Sequence, residues 1–307
     1  MKTENLSTPC LLIDRRRLEA NLGAMQQIAM ENGVGLRPHT KTHKSIDLAR
    51  MQLDLGATGL TVAKTGEAEV FVEAGFEDVR IAYTVIGNDK YARIVRLMEK
   101  ARVSFCVDTI EGARLASAFF SERDITAQVL IEVDTGYGRC GVRWDDVESV
   151  RFVDHVSKLP GLDVVGILTH AGHAYRGPES DGISKKEALV QSASMERDSM
   201  LAFATKLAEA GLIEDKESFE ISIGSTPSTT FFENAELDGF RITEIRPGSY
   251  VFHDRIHVDL GLADWTQCAL SVMTTVVSHH RNADGSERLF LDAGKKVFTS
   301  DTVSGLE

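Results

Sequence analysis

The stretch VSFCVDTIEGARLASAFFSERDITAQVLIEV, residues 103–133, carries the pattern that decides the fold. Its two ends, Val103 to Val107 and Gln128 to Val133, are continuous apolar runs of strand length. Between them, Thr109 to Phe120 spaces its apolar residues with a helical period, opened by Asp108-Thr109, residue types that cap free N–H groups. Strands apolar on both faces, joined by an amphipathic helix, read as a parallel pair covered by helices.

The unit recurs on both sides of this stretch. Strand-like runs lie at Val34 to Pro38, Thr58 to Ala63, Val79 to Tyr83, Val164 to Leu168, Phe219 to Ile223 and Ile242 to Ile245. Helix-period segments at Ile46 to Leu55, Gly66 to Ala74, Lys90 to Lys100, Trp144 to Leu159, Lys185 to Ala210 and Ser228 to Asn234 alternate with them, and Arg15 to Asn32 precedes the first strand. Eight such strands predict a closed (β/α)8 barrel of the TIM type, whose usual size is about 250 residues. An open doubly wound sheet is disfavoured because no G-x-G-x-x-G follows any strand. After about Pro247 the pattern becomes strand-like runs at Ser249 to His253, Cys268 to Ser278 and Arg288 to Ala293, the last two joined by a hairpin turn at Asn282 to Gly285. The expected organisation is a barrel over 1–246 and a C-terminal all-β domain over 247–307 that has few strands to cover its edges and so reads as truncated.

Composition narrows the function. The 307 residues are 43% hydrophobic and 26% charged, which excludes disorder and collagen. A net charge of −12, with no long Lys/Arg run, argues against nucleic-acid or anionic-membrane partners and favours small-molecule chemistry. The apolar runs are far too short to cross a bilayer, and MKTENLSTPC lacks the apolar core of a secretory signal, so a cytoplasmic location is expected. Cys10, Cys106, Cys140 and Cys268 form no CxxC pair, which disfavours a disulfide framework or a zinc knuckle.

In a parallel barrel the chemistry gathers at the carboxyl ends of the strands. Here the first strand runs into His39-Thr40-Lys41-Thr42-His43-Lys44, the fifth into Asp134-Thr135-Gly136-Tyr137-Gly138-Arg139-Cys140-Gly141, the sixth into Thr169-His170-Ala171-Gly172-His173 and the seventh into Gly224-Ser225-Thr226-Pro227-Ser228. Asp108 and Thr109 fit a structural helix cap. The Gly224-Ser225-Thr226 turn opens a helix and is equally well a capped turn or a phosphate cradle of N–H groups, hydroxyls and helix dipole. Lys41 is either a solvated lysine or an amine able to form a Schiff base, its protonation opposed by His39, His43, Lys44 and Lys64. Arg139 is a solvated loop arginine or a fixed charge against a cofactor, and His170 is a core histidine or a stacking ring. Tyr175 offers a phenol to a pyridine nitrogen. A phosphate cradle and an amine at one mouth match what pyridoxal phosphate requires.

Six segments in register, RPHTKTHK, EVDTGYGRCGV, GILTHAGHAY, SIGSTPS, RPGSYVFHD and LDAGKKVFTSD, resemble the D-serine dehydratase and D-threonine aldolase family of fold-type III, alanine-racemase-like pyridoxal-phosphate enzymes, from about Thr8 to Asp301. The resemblance implies that Lys41 forms the Schiff base, that Gly224, Ser225 and Thr226 surround the phosphate, and that Tyr175 approaches the pyridine nitrogen. It further implies that Arg139 and His170 line the cofactor and that Tyr250 and Asp254 form the segment entering the β-domain. THAGHAY and SIGSTPS are closer to the dehydratase branch, GYGRCGV to the aldolase branch.

The expected activity is that of a lyase on a D-3-hydroxy amino acid, D-serine dehydratase first, with D-threonine aldolase, an amino-acid racemase using Tyr250, and a non-catalytic cofactor-binding protein as alternatives. A homodimer is implied. Members also carry, further along, a His-x-Cys or His-x-Asp pair for a divalent metal, zinc in dehydratases and manganese or magnesium in aldolases. No such pair follows Asp301 here. The resemblance therefore leaves the metal ligands unassigned and implies either a fragment or a form without the metal-assisted step.

Overall fold

The computed structural model describes residues 5–176 and 182–298, so Asp301 lies outside the described residues. The chain divides into two units, Leu22–Tyr250 and Met1–Asn21 with Val251–Glu307. In the larger unit eight parallel strands, β1 Gly35–Leu36, β2 Leu60–Val62, β3 Asp78–Thr84, β4 Arg102–Val107, β5 Ala127–Asp134, β6 Leu162–Thr169, β7 Glu220–Ile223 and β8 Glu244–Ile245, follow the order β1-β8-β7-β6-β5-β4-β3-β2. The ring closes where His39, continuing β1, makes a parallel bridge to Thr61 of β2. Eight strands alternating with helices and closing on themselves form the barrel that the spacing predicts.

Helices α1 Arg15–Glu31, α2 Ile46–Asp54, α3 Thr65–Glu73, α4 Asn88–Met98, α5 Ile110–Ser121, α6 Val147–Ser157, α7 Lys185–Glu209 and α8 Thr226–Thr230 accompany the strands. Their starts are chemical: Ser45, Thr109, Asp146 and Ser184 each cap a first turn, and Ser184 forms a reciprocal capping box with Glu187. Tyr91, Ile94 and Leu97 recur on one face of α4 and are buried. Tyr91 packs with Phe105 of β4 and Phe119 and Phe120 of α5 at centroid distances of 5.5 to 6.1 Å. This is the helix-on-sheet layer of the core.

The barrel lumen also holds charge. Arg37 Nε donates to Glu244 Oε2 at 2.5 Å, and its terminal nitrogens donate to Asp78 at 2.6 and 3.1 Å. Arg80, fully buried, donates to Glu244 Oε1 at 2.6 Å and to Glu220. Ser222 donates to Glu244 as well. These pairs tie β3 to β7 and β8 across the lumen, a link that neighbouring-strand hydrogen bonds do not provide.

Outside the barrel strands the structure departs from the sequence reading in three places. Ser249 to His253, expected as a strand, begins with a 3-10 turn at Ser249–Val251. The single run Cys268 to Ser278 is two strands, Leu270–Met273 and Val276–Arg281, broken at Thr274-Thr275, where Thr274 Oγ1 and Thr275 N both donate to Asp292. An unanticipated strand, Cys10–Ile13, pairs antiparallel with Leu270–Met273. The hairpin turn at Asn282 to Gly285 joins Val276–Arg281 to Glu287–Leu291 as expected. Among the described residues no helix is long and apolar enough to cross a membrane.

Burial alone would raise the pKa of Glu244, but Arg37, Arg80 and Arg246 outweigh it and hold the carboxylate at about 2. Its anionic form therefore adds stability above the unfolded value near 4.5, and that contribution is lost as pH falls through about 2. Glu244→Gln, which leaves buried guanidiniums uncompensated, is expected to cost about 3–5 kcal/mol at pH 7 in urea unfolding. The gap to the unmodified protein should narrow below pH 4.5; a gap unchanged at pH 3 would show that the carboxylate's charge is not what matters.

Candidate active site

Lys41 is raised at the end of β1 by a 3-10 turn, Thr40–Thr42, that follows a strand anchored on both sides. His39 N donates to Pro247 O at 2.9 Å, and the buried Thr40 hydroxyl donates to Thr61 O at 3.1 Å. The Lys41 side chain reaches solvent but is walled by protein on most sides. Its pKa lies below the ordinary lysine value, first because of that desolvation, then because of Arg139 and Arg246, with Glu67 opposing. The cations expected to act here, His39, His43, Lys44 and Lys64, are not these two. Lys44 is paired with Glu67 at 2.7 Å. Burial holds His39 well below the usual histidine range and His43 at about 4, so both are neutral near pH 7.

The seventh strand ends in Gly224, Ser225 and Thr226. Gly224 has φ +143°, and a Cβ there would stand 2.7 Å from Arg246 N, so only glycine fits. Ser225 caps α8: its hydroxyl accepts from Ser228 N at 3.3 Å, while Ser225 N donates to Ser228 Oγ at 3.2 Å. Gly224 N donates to Glu196 Oε1 at 3.0 Å. The turn is capped at Ser225, and the Gly224 and Ser225 N–H groups are engaged within the protein. Thr226 differs. Its Oγ1 accepts from Ser249 Oγ and from Tyr250 N, both at 3.1 Å, and Tyr175 Oη lies 3.3 Å from Ser249 Oγ. Three hydroxyls therefore gather beside the first turn of α8.

His170, at the end of β6, places Nδ1 2.8 Å from Gly224 O. A carbonyl only accepts, so Nδ1 carries the proton and Nε2 keeps its lone pair. Burial, then the charge of Lys41, holds His170 neutral with a pKa of about 3. Tyr137 stands edge-on to this ring at 6.1 Å, and a Cβ on Gly172 would meet the Tyr137 ring at 2.3 Å, which is why a glycine follows in this loop.

The loop carrying Arg139 is held by two carboxylates. Asp134 Oδ1 accepts from Gly136 N and Gly138 N at 2.9 and 3.0 Å, and Asp108 Oδ2 accepts from Gly141 N at 3.1 Å. Thr109 alone caps α5, so Asp108 serves the Arg139 loop rather than a helix start. Arg139 itself reaches the buried Glu132 at 3.3 Å, which also accepts from the Cys140 thiol at 2.9 Å.

Tyr250 is buried, its phenol accepting from Gln52 Nε2 at 2.8 Å and its pKa pushed up by that burial. Asp254 belongs to the smaller unit, where it caps the helix Arg255–Asp259 through His257 N at 3.1 Å. Sequence reasoning missed Glu132, Glu196 and Arg246. Arg246 sits in the quoted RPGSYVFHD segment, and its place after a predicted strand was the available signal.

An amine of lowered basicity, a neutral ring, cations and a hydroxyl-lined helix start fit a flat aldehyde with an anionic tail. Among the described residues no three His, Cys, Asp or Glu side chains converge as metal ligands.

Residues 13–255 match the family profile of the alanine racemase N-terminal domain. The chain is 33% identical to a D-threo-3-hydroxyaspartate dehydratase from a Delftia species over 96% of this chain and 73% of that protein. It is 34% identical to a D-threonine aldolase from an Arthrobacter species (96% and 74%) and 26% identical to a D-serine dehydratase from Dictyostelium discoideum (97% and 75%). The solved Delftia dehydratase superposes with a TM-score of 0.86, covering 97% of this chain and 74% of that one.

Arg139→Gln should raise the pKa of Lys41 by removing one of its two named cationic neighbours. Titration of isotopically methylated lysines in the cofactor-free protein reads this directly; an unmoved Lys41 resonance would show that burial alone sets the amine.

Proposed function

Because the chain belongs to the alanine racemase N-terminal-domain family, we propose that it is a pyridoxal-phosphate-dependent lyase of D-3-hydroxy amino acids. The observation that carries this reading is the Lys41 amine, lowered in basicity at a barrel mouth that also holds the hydroxyl-lined start of α8. In this reading the barrel, 1–246, carries the chemistry and 247–307 form the β-domain of a cytoplasmic homodimer.

Lys41 would hold the cofactor at its carbonyl carbon, and a substrate amine would compete for that position. Thr226 and Ser249 supply hydroxyls to the phosphate, the turn at Gly224 and Ser225 sets their place, and Tyr175 approaches the pyridine nitrogen. His170 covers the ring, and Arg139 gives it a permanent charge. Pyridoxal phosphate, when bound, supplies an electron-withdrawing ring conjugated to the substrate Cα. Lys41, its pKa lowered by burial and then by Arg139 and Arg246, would accept the α-proton. Loss of the β-hydroxyl as water, followed by hydrolysis, gives a keto acid and ammonia. The second reading, retro-aldol cleavage to glycine and an aldehyde, is favoured by the comparable identity to the Arthrobacter aldolase.

Incubation with D-serine, D-threo-3-hydroxyaspartate, D-threonine and their L-enantiomers separates these. Keto acid and ammonia from a D-hydroxy substrate is the expected result, glycine and aldehyde identifies the aldolase, and interconversion of enantiomers sinks the lyase reading. Independently of turnover, borohydride treatment with pyridoxal phosphate should label the peptide containing Lys41 in the unmodified protein and not in Lys41→Ala. Label on a different lysine would overturn the assignment.

A further inference from the structure

We infer that Glu196 is a positioning residue for the cofactor, setting the phosphate turn and His170 in one register; this rests on the pyridoxal-phosphate reading above. Glu196 lies in the middle of α7 and is fully buried. Its carboxylate makes three bonds to three elements. Oε1 accepts from Ala171 N and from Gly224 N, both at 3.0 Å, and Oε2 accepts from Ser228 Oγ at 2.7 Å. One group therefore joins the loop after β6, the end of β7 and the first turn of α8.

Gly224 is held on both sides of its backbone. Its N–H goes to Glu196 and its carbonyl accepts from His170 Nδ1 at 2.8 Å. The bond to Ala171, the residue after His170, fixes the other end of the same link. Moving the turn would therefore move the ring that covers the cofactor. Ser228 passes the constraint on, since its hydroxyl also receives Ser225 N, which orients the start of the helix. Burial raises the pKa of Glu196 while these bonds oppose that rise, and one of them takes up the Gly224 N–H within the protein. The phosphate is then left to the hydroxyls and to the helix start.

The test compares binding of pyridoxal phosphate with that of pyridoxal, which lacks the phosphate, together with thermal unfolding of the cofactor-free proteins. Glu196→Ala should weaken pyridoxal phosphate by about 30-fold, and by at least about tenfold more than it weakens pyridoxal. Glu196→Gln keeps an oxygen for the two N–H groups and should stay within about threefold of the unmodified protein. Ser228→Ala, which removes one of the three bonds, should fall between them.

A folded Glu196→Ala protein that binds pyridoxal phosphate normally, or that loses both ligands equally, overturns the inference. So does Glu196→Gln proving as defective as Glu196→Ala. If Glu196→Ala does not fold, Ser228→Ala decides, and unchanged affinity there overturns it. Failure of the unmodified protein to bind pyridoxal phosphate sinks the cofactor assignment itself and this inference with it, a result that cannot be confused with the others.

Discussion

One carboxylate, Glu244, holds the barrel lumen together. It receives Arg37 from the end of β1, Arg80 from β3 and the Ser222 hydroxyl from β7, and it is buried. Three guanidiniums with no such anion would repel one another in a medium where charge is screened weakly. The arrangement turns that repulsion into cross-links, among which the Arg80 pair joins strands that are not neighbours in the sheet. Arg246 stands on the mouth side of this group, donating to Ser222 and to Thr169 O, and burial lowers even its pKa, to about 10. Its field reaches Lys41, His39 and His170. The electrostatics of the mouth are thus a continuation of the electrostatics of the core.

Continuity of this kind explains why the mouth is polar and yet mostly uncharged. Histidines that would carry protons in water are neutral here, and the lysine is pushed the same way, so the fixed positive charge resides on arginines that cannot release it. Proton transfer is then left to groups whose protonation can change. A neutral His170 with its Nδ1 proton committed to Gly224 is a flat, oriented surface rather than an acid.

Much of the barrel was legible because buried parallel strands must be apolar throughout, and all eight runs read from the sequence correspond to strands. Lys41, Arg139, His170 and the glycine-led turn were legible because strand ends in such a barrel converge. What escaped was polar and internal. Glu196 lies within a helix of alternating charge, where an acidic residue normally faces water, and nothing in its neighbours marks the buried face. Arg80, Glu132 and Glu244 sit inside apolar runs whose buried charged member was overlooked. Cys10–Ile13 alternates between half-buried and exposed, a four-residue signal too short to separate from a loop. Asp108 and Thr109 both suit a helix start, and only coordinates reveal that the threonine caps while the aspartate restrains Gly141.

The pairing of Cys10–Ile13 with Leu270–Met273 joins segments that are far apart in the chain. The smaller unit is assembled from both, whereas every strand of the barrel lies between residues 35 and 245. On the ribosome the barrel can complete its ring while the amino-terminal strand still waits for its partner to be synthesised. For as long as that wait lasts, a short edge with unpaired backbone groups is presented to whatever chaperone or neighbouring nascent chain is at hand.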